Sequence, residues 1–159
     1  MTPFNRICLL SVLPVALFLI SHHAQGADDK KEKIVPMLKQ WHGRHSGVGK
    51  AQNMVVRDSK AWQKLWGQIH AKVSPKPKAP EIDFSKQMVL GAFMGQKNTG
   101  GHAIKINQVT EKSKVLQADV VSKSPPPGGF SIQVLTQPYH LVLIAKSDKK
   151  VLFKEQKKK

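Results

Sequence analysis

Cysteine is almost missing from this 159-residue chain: Cys8 is the only one. It lies near the start of an apolar N-terminal run, too early and without the preceding small residues that a lipid-modified cysteine needs. Neither a disulfide framework nor thiol chemistry is therefore expected of the mature chain. Carboxylates are scarce as well, with 10 Asp plus Glu against 26 Lys plus Arg and a formal net charge of +16. Arginine is confined to Arg6, Arg44 and Arg57, so the excess is lysine. Arginine's planar fork reads carboxylate, phosphate or guanine through two hydrogen bonds, whereas lysine is a hydrated point charge. A lysine-dominated surface implies weak, nonspecific attraction to a polyanion or a membrane surface, with little recognition of shape or sequence.

The shortage of carboxylates also argues against catalysis. A hydrolase needs a nucleophile, a base and an orienting acid that converge. Glu111 and Asp119 fall in a hairpin pattern and Asp148 in a lysine-rich turn. His42 and His45 flank Gly43, while His70, His102 and His140 are scattered and no His-Glu-x-x-His or cysteine pair joins them. No catalytic residue, metal ligand or cofactor is expected. The glycine-rich stretch Gly43–Lys50 has the wrong spacing for a phosphate loop and no Ser or Thr after Lys50, so it reads as a mobile loop and no nucleotide is expected.

One long apolar run is present, and it is N-terminal. Arg6 supplies a positive start, Ile7 to Ile20 is apolar but short for a bilayer, and Ser21 to Asp28 turns polar, the pattern of a signal peptide over residues 1–26. Ala24 and Gly26 place a cut before Ala27, with cuts after Ala24 or Ala27 left open. An uncleaved anchor is disfavoured by Pro14 and by the short apolar length. The expected destination is periplasmic or extracellular.

Beyond the leader, the chain divides into a flexible basic segment over 27–45, a domain over 46–155 and a basic tail over 156–159. Val89–Met94 is a continuous apolar run between turn signals, read as a strand buried on both faces. Met54–Arg57 reads as a strand, with Asp58 or Ser59 capping a helix after it. In that helix Trp62, Leu65, Trp66 and Ile69 recur at i, i+3, i+4 and i+7, a stripe better suited to packing on a sheet than to holding a ligand. Ser74–Pro80 ends the helix in an extended linker. Ala103–Thr110 and Leu116–Val120 form a hairpin. Ile132–Leu135 and Tyr139–Ala145 are strands around Pro138, which belongs at a strand start or bulge because it lacks an N–H. Val151–Phe153 closes the sheet. The fold class is α+β, a mainly antiparallel β-sheet with one amphipathic helix packed on a face.

Several stretches, in order, resemble the C-terminal domain of the protease complex subunit PrcB family. They are Ser46-Gly47-Val48, Val55-Val56-Arg57-Asp58 with Trp62 and Leu65-Trp66, Asp83-Phe84-Ser85-Lys86 with Met88-Val89, Thr99-Gly100-Gly101-His102, and Thr136-Gln137-Pro138-Tyr139-His140. The resemblance spans about Ser46 to Phe153. In that family the residue after the paired glycines is commonly tyrosine, and here it is His102. The resemblance implies a non-catalytic, exported binding domain of a bacterial protein, an accessory to an extracellular or envelope protease. A lysine-rich polyanion or envelope-surface binder is the alternative, and a hydrolase ranks last.

The partner is expected to be a protein, a protease on the family reading, met by two loops held on the sheet. The first offers Thr99, Gly100, Gly101 and His102, and the second Pro125, Pro126, Pro127 and Phe130. Phe130 reads either as an aromatic anchor or as a core residue. Trp62, Trp66, Pro138 and Tyr139 are assigned structural roles.

Overall fold

Alternation of apolar and polar residues builds most of this protein. A computed structural model describes residues 32–158. The elements run in the order β1 (Lys33–Ile34), β2 (Lys39–Gly43), β3 (Ala51–Val56), α1 (Ser59–Ile69), β4 (Gln87–Met94), β5 (Lys97–Thr99), β6 (Ala103–Glu111), β7 (Val115–Lys123), β8 (Gln133–Thr136), β9 (Tyr139–Ala145) and β10 (Lys150–Lys158). One sheet has the order β2-β9-β4-β3, a second β1-β6-β7-β10, and β5 with β8 makes a two-stranded ribbon. All named pairings are antiparallel except β10 with β7, which is parallel. The fold class is as the sequence indicates, α+β and mainly antiparallel with one helix on a face. None of the described helical residues forms a helix long and apolar enough to cross a membrane.

The run at β4 is apolar throughout because both of its faces are covered. Val89 and Phe93 point to the helix side, where they meet Trp62, Leu65, Trp66 and Ile69. Met88, Leu90 and Ala92 point the other way, onto Ile106, Val109, Leu116, Ala118 and Val120 of the second sheet. Strand β9 repeats this, with Leu141 and Leu143 under the helix and Val142 and Ile144 between the sheets. The layers are therefore helix, sheet and sheet. Gly91 sits where a Cβ would come within 2.9 Å of both Leu141 Cδ2 and Phe93 Cε2, so a side chain there would push both of them aside.

Asp58 caps α1, its side chain accepting the Ala61 N–H at 2.8 Å. The helix tryptophans also hold the proline-rich stretch down. Trp62 Nε1 donates to Pro80 O at 2.9 Å, and Trp66 Nε1 to Pro77 O at 3.0 Å, so indoles buried for packing also satisfy their polar ends. Trp41 of β2 joins them, with ring centroids 5.2 Å from Trp62 and 6.0 Å from Trp66.

Between the sheets lies one buried titratable ring. His140 of β9 is only 2% exposed, and its Nδ1 accepts the backbone N–H of Ile106 at 3.1 Å. That N–H stands next to the register shift of β6 between Ile106 and Gln108. Burial, with His42 and Lys105 nearby, pushes the imidazole down to about 4, so the ring is neutral at pH 7.

Three segments differ from expectation. Residues 33–43, expected within a flexible stretch with a short strand or turn over Ile34–Trp41, form two strands, β1 and β2: Trp41 and Met37 each have core surface to cover, which ties the backbone to β9 and the second sheet. The end of the chain, expected as a basic tail, continues β10 to Lys158 with Lys157 opposite Ser122, since β7 offers a ladder of full length. The stretch Gly43–Lys50 is not a mobile loop: Ser46 and Val48 are buried, Gly47 N–H donates to Gln137 Oε1 at 3.1 Å, and Gln68 Nε2 donates to Gly47 O at 3.2 Å. The leader expected over 1–26 lies outside the described residues.

Candidate protein-binding surface

The ribbon is a prolongation of the two central strands. β4 pairs with β9 as far as Phe93 opposite Tyr139, and β5 pairs with β8 from Lys97 opposite Thr136. Between the two pairings both chains kink. Gly95 takes a φ of +70°, and a Cβ there would stand 2.6 Å from Ala51 N, so only glycine fits. Across from it is Pro138, which cannot donate to a ladder; its carbonyl accepts the Met94 N–H at 2.9 Å. Beyond this break β5 and β8 form a two-stranded sheet of their own, apart from the two larger sheets.

At the ribbon's far end the two expected loops meet. Gly101, with a φ of +81°, turns the chain so tightly that a Cβ would lie 3.0 Å from Pro125 Cγ. The ring of His102 joins them, Nε2 at 3.0 Å from Thr99 Oγ1 and Nδ1 at 3.2 Å from Ser124 Oγ. Partial burial, and Lys97 nearby, lower the pKa of His102, which favours the neutral ring these hydroxyl contacts use. The arm itself closes in a turn, Gly129 N–H donating to Pro126 O at 3.1 Å. Thr99, Gly100, Gly101 and His102 thus stand beside Pro125 and Pro126, while Pro127 is an exposed part of the arm's turn that lines no groove beside it.

What the sequence reading passed over is how much apolar side chain the ribbon leaves in water. Phe130 is 100% exposed, Ile132 70%, Leu135 58% and Val134 42%. Phe130 does not enter the core. Exposed apolar side chains gathered on one short stretch mark an interaction surface, whereas scattered exposed aliphatics are ordinary. Two grooves flank the ribbon. One, of about 430 Å³, is lined by Arg44, His45, Lys123, Pro125, Phe130, Ile132 and Val134 among others. The other, of about 520 Å³, lies on the opposite side and includes His45, Ile69, Lys72, Val73 and Leu135. Neither groove is lined by a carboxylate.

Residues 88–145 match the model of the PrcB C-terminal family. The PrcB-like span starts at the first buried residue of β4 and ends with β9, so it holds the inner strands, the ribbon, the arm and the hairpin β6–β7. The resemblance seen in the sequence is thereby shown over that span, which is narrower than the Ser46–Phe153 stretch that carries the motifs. Searches of curated proteins and of solved structures returned no match.

Within the PrcB-like span, Tyr139 is buried against Phe93, with ring centroids 6.2 Å apart, and its phenol is pushed up by burial. Trp62 and Trp66 are core residues, and Pro138 occupies the break between β8 and β9. Among the described residues, no group of three or more His, Cys, Asp or Glu side chains could hold a metal ion. Arg44, His45, Val73, Ile132, Val134 and Leu135 were not anticipated as part of the contact surface. Phe130, Ile132 and Val134 do alternate with polar Ser131 and Gln133, but that signal is the same for a buried face and for an exposed one.

Proposed function

We propose that this protein is exported and acts as a non-catalytic protein-binding domain, an accessory to an extracellular or envelope protease, with the β5–β8 ribbon and the Ser124–Phe130 arm as its contact surface. The observation that carries the reading is the exposed apolar series Phe130, Ile132, Val134 and Leu135, which runs from the arm into β8, outside the two larger sheets. The match to the PrcB C-terminal family supports it. A surface of this kind suits recognition because its backbone is held by glycine and proline before the partner arrives, which reduces the ordering cost of binding. Export rests on the N-terminal pattern of the sequence, and N-terminal sequencing of the mature protein should begin between Gln25 and Asp28.

The test is site-specific photo-crosslinking in the native envelope. A photoreactive residue at position 130 should give a discrete protein adduct identifiable by mass spectrometry, and one at position 64 on the exposed face of α1 should not. Equal labelling from both positions, or loss of the adduct when irradiation is done in about 0.5 M salt, would point instead to diffuse attraction by lysine.

A further inference from the structure

We infer that the partner docks by strand addition: an extended peptide segment carrying acidic residues pairs with the free edge of β8. This deepens the protein-binding reading above and rests on it. Among the described residues β8 is paired along one edge only, to β5. On its other edge a ladder has already begun, at one end. Gln137 N–H donates to Arg44 O at 2.6 Å and Ser46 N–H to Gln137 O at 3.1 Å, around the bridge between His45 and Gln137. Over Gln133–Leu135 no strand among the described residues continues that ladder. An unpaired edge of this kind is a template for another strand.

The grooves suit such a strand on both of its faces. One groove contains Val134 and the other Leu135, neighbours in sequence whose side chains point to opposite sides of β8, and His45 lines both. Successive side chains of an added strand would therefore enter the two grooves alternately, main-chain bonds giving affinity and the grooves giving selectivity. Charge selects the occupant. Arg44 and Lys123 line the first groove and Lys72 the second, with no carboxylate in either lining. A segment with apolar residues at alternate positions and Asp or Glu at its ends is complementary, whereas a basic segment is repelled.

The probe is a synthetic Glu-Val-Thr-Val-Thr-Val-Glu peptide titrated into the folded protein and followed by amide NMR and hydrogen exchange. The expected result is saturable binding, with slowed exchange of backbone amides in residues 133–136. A version with lysine at both ends should bind at least tenfold more weakly. A version N-methylated at alternate residues on the pairing edge should lose binding altogether. Binding that survives N-methylation of each alternate set of residues in turn would overturn strand addition, because no main-chain ladder would then be needed. Absence of binding by the acidic peptide, with position 130 still crosslinking to a protein, would overturn this inference and leave the protein-binding reading standing; loss of both would overturn both.

Discussion

Acidification should weaken this fold in a window that the buried histidine defines. His140 bonds the Ile106 N–H through Nδ1 and faces His42 across paired strands. To protonate, it must surrender that acceptor or carry a charge between two sheets. The unfolded chain takes up the proton near 6.5, while the folded one resists until about 4. The folded pKa is depressed, so the stability contributed is complete above 6.5, falls as the pH drops towards 4 and levels off below that. At about 1.4 kcal/mol per pH unit the loss is roughly 3 kcal/mol, a large share of the 5 to 15 typical of a domain.

Urea unfolding at a series of pH values, read by fluorescence of the clustered tryptophans Trp41, Trp62 and Trp66, would measure it. His140→Asn keeps an acceptor near the Nδ1 position and does not titrate. The variant should be less stable at pH 7, having lost ring volume, yet show a shallower loss between pH 6.5 and 4.5. His102, depressed in the same direction, is present in both proteins and cancels in the comparison. Glu111, held low by Lys149, and Asp83, held low by Ser85, lose their contributions only at more acid pH. Identical pH slopes for the two proteins over that window would refute the role given to His140.

Other expectations follow from packing and backbone geometry. Trp66→Ala empties space under the helix and frees the Pro77 carbonyl, and should cost about 3 to 5 kcal/mol in chemical unfolding, against less than about 0.5 for Lys64→Ala on the exposed face. Gly91→Ala drives a methyl into Leu141 and Phe93 and should cost about 1 to 3 kcal/mol, read as a lower urea midpoint with an unchanged slope. Gly101→Val places a β-branched residue at positive φ against Pro125, and should cost about 1 to 3 kcal/mol while leaving the far-ultraviolet circular dichroism native. It should abolish formation of the adduct from position 130, since the turn that sets the ribbon against the arm is disturbed.

The inner part of the fold was legible because its physical causes are local. Trp62, Leu65, Trp66 and Ile69 fall at helical spacing, Asp58 precedes them as a cap, and Val89–Met94 has no polar residue to spare for solvent. The second sheet was less visible. Its hairpin alternates plainly, but nothing at Val115–Lys123 indicates that β10 will pair alongside in parallel, a contact between segments far apart in sequence. The end of β10 read as a basic tail for the same reason: its pairing is set by the backbone of β7, which leaves no local sign in the sequence.

At the candidate surface the loops were found from glycine and proline, whose backbone needs are local. Ile132, Val134 and Leu135 were missed because period-2 alternation reports that a residue has a side, and tertiary structure alone determines whether that side is covered. His140 was similarly ambiguous, as its burial depends on the bulge in β6 that presents Ile106 N–H.

The central claim is that a protein is held by the ribbon's apolar side chains and not by the net charge. Its most direct test is non-covalent retention of the protein identified by crosslinking from position 130, compared in 0.5 M NaCl for wild type, for Phe130→Ser with Ile132→Ser, and for Lys150→Glu with Lys154→Glu. The account predicts that wild type and the lysine variant keep the partner, while the double serine variant loses at least about tenfold in affinity, since two apolar contacts contribute more than 1.4 kcal/mol together. Release from wild type at that salt, with the serine variant binding normally at low salt, would contradict it.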